Sequence, residues 1–229
     1  MTNSSGFLLL DKPSGPTSHD IINFLRQITS IKKIGHAGTL DPFASGLLIV
    51  GIGRQATRHL GKFLKLDKKY EATLRLGSTS DSFDRTGRIV SFKCSPPSLT
   101  EIKKTAQCFK GEIEQIPPMF SAKKVGGKRL YELARAGQEI ERQPIKILIY
   151  QLKVLSYQFP FLRLWVHCSS GTYIRALAAD FGKVLGCGAY LEELRRTAIG
   201  EWQIEEAVKP NQINYNNWQQ YLFVPKLIF

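Results

Sequence analysis

Two long segments, residues 145–157 and 161–168, read as strands and follow one another with only a turn around Pro160 between them. So short a link has no room for a crossover helix, so two strands joined this way pair antiparallel. Other strands come in similar runs. Residues 6–10 read as a short buried strand, closed by the turn signal Asp11-Lys12-Pro13-Ser14-Gly15-Pro16. Residues 47–52 read as another apolar strand. Residues 70–76 alternate, and residues 88–93 are expected to pair with them across a turn at Gly87. Helices are fewer. Ser18 is placed to cap a helix with Ile21, Leu25 and Ile28 on one face. Residues 100–109 form a short helix ended by Gly111, and residues 172–185 a helix with Ile174, Leu177, Ala178, Phe181 and Leu185 apolar, stopped by Gly186. The tail after Trp202 has only a weak helical patch. Adjacent strands with few helices give an α+β fold with a mostly antiparallel mixed sheet flanked by helices, rather than a doubly wound parallel one. No repeat, low-complexity tract or linker interrupts the chain, so one compact unit over residues 1–229 is the expectation.

Charge narrows the partner. Lys and Arg number 32 against 19 Asp and Glu, a formal charge of +13 over 229 residues. The excess is even, +7 in residues 1–115 and +6 in residues 116–229, so the folded body and not a tail carries it. A polyanion, most often nucleic acid, fits such a face; the alternative is a charge that serves only solubility. Cys94, Cys108, Cys168 and Cys187 form no CxxC pair and read as reduced thiols. The first ten residues lack a basic region before their apolar run, and no stretch approaches the roughly 18–20 apolar residues of a membrane helix. A cytoplasmic protein is the expectation.

His19, His36, His59 and His167 are scattered, with no metal-ligand spacing, and neither a phosphate-binding GxxxxGK[ST] loop nor a GxGxxG opens a helix. No metal and no cofactor is expected. The segment Gly35-His36-Ala37-Gly38-Thr39-Leu40-Asp41-Pro42-Phe43-Ala44-Ser45-Gly46 stands apart: three glycines bracket a His and an Asp directly before a buried strand. Asp41-Pro42 could be a helix N-cap with Pro at the first helical position. It could instead be a carboxylate held in a rigid loop that a substrate approaches closely. Two basic stretches, residues 54–75 and the glycine-punctuated segment around Lys123, Lys124, Lys128, Arg129 and Arg135, read locally as solvated faces. Within the second, residues 128–135 are expected to be helical.

Residues 35–42 resemble the catalytic motif of the TruB family of tRNA pseudouridine synthases. Further blocks agree in order: Leu10-Asp11-Lys12-Pro13, Lys68-Lys69-Tyr70, Asp81-Ser82-Phe83-Asp84 with Gly87, Gln115 to Ala122, Gly171-Thr172-Tyr173-Ile174-Arg175 and Leu194-Arg195-Arg196. The resemblance spans about residues 6–205; Ala37 and Phe43 depart from the Thr and Leu common beside the aspartate. It implies isomerisation of uridine 55 in the T loop of tRNA to pseudouridine, without a cofactor and with the target base flipped into the site. It makes Asp41 the catalytic aspartate with Arg175 beside it. Tyr70 and Tyr173 become pocket aromatics, His36 a T-loop contact and Leu194 a lining residue of the uracil pocket. Lys12, Lys68, Lys69, Lys123, Lys124, Lys128 and Arg129 would meet RNA, the last four in a thumb-like insertion over about residues 123–145. Only a short extension, about residues 205–229, follows the catalytic part, where relatives commonly carry a PUA domain. A monomer without an obligate protein partner is expected. Two rival expectations are a non-catalytic RNA-folding module, and a synthase acting on another RNA or within a guide-RNA particle.

Overall fold

A computed structural model describes residues 5–121, 124, 125, 128, 129, 138 and 140–225, and the statements below concern these residues. In chain order they form β1 (Gly6–Lys12), α1 (Ser18–Thr29), β2 (Ile34–His36), β3 (Ser45–Ile52), α2 (Gly53–Thr57), α3 (Leu60–Leu64) and β4 (Lys68–Leu76). There follow β5 (Ser78–Ser80), β6 (Ile89–Ser91), α4 (Leu99–Cys108), β7 (Gly111–Gln115), β8 (Lys124–Val125) and β9 (Lys128–Arg129). The remainder is β10 (Ile145–Gln158), β11 (Phe161–Cys168), α5 (Ile174–Val184), β12 (Ala189–Ile199), β13 (Trp202–Gln203) and three short 3-10 turns in the tail. No described helix is long and apolar enough to cross a membrane. The chain divides into two compact units: residues 1–70 with 194–229, and residues 71–193.

In the first unit β3 is the central strand. β1 pairs with it antiparallel from Gly6↔Ile52 to Lys12↔Gly46, β2 pairs antiparallel at Ile34↔Ile52, and β12 runs parallel at Arg195↔Ser45. Both β1 and β3 are continuous apolar runs because both of their faces are covered. Leu8, Leu10, Leu48, Val50 and Ile52 pack on one side with Ile21, Ile22 and Leu25 of α1, while Phe7, Leu9, Leu47 and Ile49 pack on the other with Phe63 and Ile199. The tail shares this core. Val208, Ile213 and Trp218 are buried with the α1 face, though their spacing shows no regular period. The cap of α1 is Thr17, whose side chain accepts from the Asp20 amide while Asp20 returns the bond to the Thr17 amide. Ser18 is the first helical residue, and its hydroxyl turns elsewhere.

In the second unit β10 and β11 pair antiparallel from Ile149↔Cys168 to Gln158↔Phe161, with two register shifts, and β7 pairs antiparallel on β10. The strand order there is β4-β11-β10-β7. α4, capped by a Ser98–Glu101 box, and α5 meet through stacked Phe109 and Phe181 rings, 5.5 Å apart. β6 departs from expectation. It pairs with β5 at Thr79↔Val90 and not with β4, because a turn over residues 81–88 closes the nearer strand first. Lys128 and Arg129 belong to a short hairpin with Lys124 and Val125, not to a helix, while residues 130–135 and Lys123 lie outside the described residues.

Candidate active site

The loop between β2 and β3 carries Asp41, and it is tied down from four directions. Asp41-Pro42 opens a turn closed by the Ala44 amide on the Asp41 carbonyl at 3.1 Å, and β3 begins at Ser45, so the helix-cap alternative is excluded. The buried Ser18 hydroxyl donates to the Leu40 carbonyl at 3.1 Å and accepts from the Leu40 amide at 3.0 Å. The Gly15 amide donates to the Pro42 carbonyl at 2.8 Å, and the Ser14 hydroxyl to the Phe43 carbonyl at 2.8 Å. Asp41 is half-buried at the apex of this turn.

Two buried cations complete the frame. Lys12 has no exposed surface, and its ammonium donates to the carbonyls of Pro13 (2.8 Å), Pro16 (2.7 Å) and Pro42 (3.4 Å). Burial lowers its pKa to about 8, with the nearby Asp41 carboxylate opposing the shift and Arg196 adding to it. Arg196, 2 % exposed, donates from Nε to the Leu47 carbonyl (2.8 Å) and from Nη2 to the Gly38 carbonyl (3.1 Å). Burial pushes its pKa down, and the Tyr70 hydroxyl hydrogen-bonded to it pushes back. Gly46, at φ +110°, is required here: a Cβ would run into the main chain of Arg196. Arg195, on the opposite face of β12, forks onto Asp11 at 3.0 and 2.8 Å.

Of the residues singled out from sequence, Lys12, His36 and Tyr70 thus gather around the Arg196 guanidinium in the first unit, with Asp41 close to Lys12. His36 is half-buried, with Nδ1 buried and without a hydrogen-bond partner; burial and the Arg196 charge lower its pKa, so the imidazole is neutral at pH 7. Tyr70 is buried, and Leu194 is buried two positions before Arg196 on the same side of β12. Lys12 and Lys68 correct the sequence reading as RNA contacts. Both ammoniums are inside the protein, the second donating to the Leu64 carbonyl at 2.7 Å where it closes α3, so neither faces an outside phosphate. Lys69 is half-buried. The side chains of Lys123, Lys124, Lys128 and Arg129 lie outside what is described.

The second unit holds another buried cation. Arg175, 5 % exposed, pairs with Asp84 at 3.2 Å and donates to the carbonyls of Ser82 (3.3 Å) and Phe120 (2.6 Å). Asp84 also accepts from Ser82 Oγ, the Thr86 amide and Thr86 Oγ1. Tyr173 caps α5, with its amide and carbonyl both held by the Gln115 side chain at 2.8 and 3.0 Å. Three of the sequence blocks therefore converge on the start of α5. Among the described residues, no group of three His, Cys, Asp or Glu side chains is disposed to hold a metal ion.

Arg196 has no assigned role in the sequence reading. The signal for it is the period of β12, where Leu194, Arg196 and Ala198 fall on the buried side. A charged residue at such a position is there to satisfy buried acceptors.

Residues 26–174 match the N-terminal domain of the TruB family of pseudouridylate synthases, and residues 175–223 match the C-terminal domain of tRNA pseudouridylate synthase B. The boundary between the two falls at the start of α5, not at the boundary of either compact unit. A "tRNA pseudouridine synthase B" from Chlamydia pneumoniae is 49% identical over 210 residues, covering 92% of this chain and 89% of that protein. One from Protochlamydia amoebophila is 48% identical, covering 91% and 79%. Among solved structures, a Cbf5-Nop10-Gar1 complex is similar with a TM-score of 0.69 at 30% identity, over 89% of this chain and 52% of its own. An H/ACA RNP bound to a substrate RNA containing 2′-deoxyuridine is similar with a TM-score of 0.71 at 28% identity, over 94% and 55%. The chain spans about half the length of these two solved chains. The mixed, mostly antiparallel sheet, the pinned Asp41 loop and these matches agree: the chain belongs to the TruB family of pseudouridylate synthases and is an isomerase.

Proposed function

We propose that the chain converts uridine 55 in the T loop of tRNA to pseudouridine, with Asp41 as the catalytic carboxylate. The observation that carries the reading is the Asp41 loop: a carboxylate at the apex of a turn whose neighbouring carbonyls are held by Lys12, Arg196, Ser14 and Ser18. Catalysis gains most from groups held in place before the substrate arrives. The tRNA substrate is taken from the relatives named tRNA pseudouridine synthase B.

The reaction breaks the bond between C1′ of the ribose and N1 of uracil, turns the base, and joins C1′ to C5, after which the C5 proton leaves and N1 takes up a proton. Asp41 assists as nucleophile on the sugar or the base, or by promoting a glycal. The base must leave the RNA stack to be reached, so a pocket with flat side chains suits it. Tyr70 supplies one such ring, its hydroxyl hydrogen-bonded to Arg196, and takes the C5 proton late in the reaction as its own hydroxyl proton passes to solvent. Leu194 lines the uracil pocket, and neutral His36 offers a ring without the cost of burying a charge. Tyr173 and Arg175 are carried as substrate-binding residues of the second unit. The carboxylate chemistry needs neither metal nor nucleotide cofactor.

The test is carbodiimide mapping with primer extension on unmodified tRNA. A single new stop at the T-loop uridine supports the reading. No stop with RNA still bound favours a folding module, and a stop elsewhere keeps the enzyme and discards the substrate.

A further inference from the structure

The first unit has a second basic feature that the Asp41 site does not use. Lys33, Arg54, Thr57 and Arg58 line a concavity of about 410 Å³. Lys33 lies just before β2 and Gly53 just after β3, and the Gly53 amide donates to the Lys33 carbonyl at 2.8 Å, which locks the two chain segments together. Arg54, Thr57 and Arg58 follow at helical spacings of three and four, so they share one face of α2 and its C-cap. All three cations are exposed, and no ion pair among the described residues engages them. From residue 21 to residue 66 the one acidic residue is Asp41.

A fold that gathers three unpaired cations and a threonine around a hollow, without a carboxylate on its wall, creates a positive potential that only an anion relieves. Arg offers fork-shaped donors suited to phosphate oxygens. The concavity and the Asp41 loop lie at opposite ends of β3. Seven residue steps at roughly 3.3 Å separate Ser45 from Ile52, or roughly 23 Å. We infer that this concavity is an anchoring subsite for a backbone phosphate of the bound RNA, several nucleotides from the target uridine. The inference rests on the tRNA reading above. The subsite grips the RNA without touching the reacting base, so it acts on binding and not on the chemical step.

The experiment compares wild type, Arg54→Gln/Arg58→Gln, and a control with the same charge change, Lys103→Gln/Lys104→Gln on the exposed face of α4. Each is measured for tRNA binding against salt and for kcat and KM; Lys33→Gln serves if the double variant melts early. Each lost phosphate contact flattens the log Kd against log salt slope by about 0.7–0.9. The double variant, which loses the one phosphate contact, flattens it by that amount. Kd and KM then rise about tenfold or more, kcat at saturating tRNA stays within twofold, and the control stays near wild type. A slope and Kd indistinguishable from the control, or a fall in kcat with Kd unchanged, overturns the subsite. Wild type that binds tRNA but turns none over overturns the reaction instead, and the binding comparison still decides the subsite.

Discussion

Replacing Arg196 with Met should cost both stability and turnover. The substitution keeps most of the side-chain volume but removes the donors to the Gly38 and Leu47 carbonyls and to the Tyr70 hydroxyl. A buried acceptor left without its donor costs about 1–3 kcal/mol. Two carbonyls and a hydroxyl would cost several kcal/mol, of which part returns because a buried charge no longer has to be desolvated. A net loss of about 2–3 kcal/mol is expected. In a chain of this size that lowers Tm by about 5–10 °C. Gly38 sits three residues before Asp41, so freeing its carbonyl loosens the Asp41 loop; if Asp41 is catalytic as proposed, misplacement by about 1 Å costs about 100-fold in rate. Differential scanning calorimetry and single-turnover kinetics read the two effects separately. A Tm within 2 °C of wild type would refute the pinning argument. A lowered Tm with turnover within twofold would refute its link to catalysis.

Lys12 makes stability depend on alkaline pH. Its pKa falls from 10.5 unfolded to about 8 folded, so between those values the unfolded chain holds more protons and stability rises with pH. The penalty, about 3 kcal/mol, is fully present below pH 8; wild type should therefore gain on Lys12→Met between pH 7.5 and pH 10 in urea unfolding, and parallel curves would contradict this. Gly46→Ala should lose more than about 3 kcal/mol, since it adds left-handed strain to a clash with the Arg196 main chain; a loss under about 1 kcal/mol in the same assay would show that the strand yields. Asp84→Asn removes one carboxylate charge from the buried ion pair with Arg175 and should cost about 3–5 kcal/mol, whereas Asp84→Leu with Arg175→Met should recover much of it. Equal losses in the two variants would rule out the charge as the cause.

What the sequence made legible was whatever repeats with a period. α1 and α5 show their buried faces at helical spacing, and β10 and β11 their alternation, so these elements fall close to their expected bounds. The apolar runs of β1 and β3 read as strands, and the structure shows both of their faces covered. The tail was opaque because Val208, Ile213 and Trp218 enter the core from irregular backbone, where no period exists to read. The β5–β6 hairpin was hidden by a short strand, Ser78–Ser80, made of small polar residues with no apolar alternation. At the site, the Gly35–Gly46 loop announced itself by composition. The inward turn of Lys12 and Lys68 did not, because lysine usually keeps its ammonium in water. Nor was the Arg175–Asp84 pair legible, since it joins residues 91 positions apart.

Under the proposed function, Asp41 performs the chemistry and does not merely shape the loop. Release of tritium from tRNA carrying 5-tritiated uridine reports the departure of the C5 proton directly. Asp41→Asn, nearly isosteric, should release none above background while binding tRNA within a few-fold of wild type. Tritium release at a tenth of the wild-type rate or more, or a collapse of binding together with Tm, would contradict the claim and leave Asp41 a structural residue of the turn.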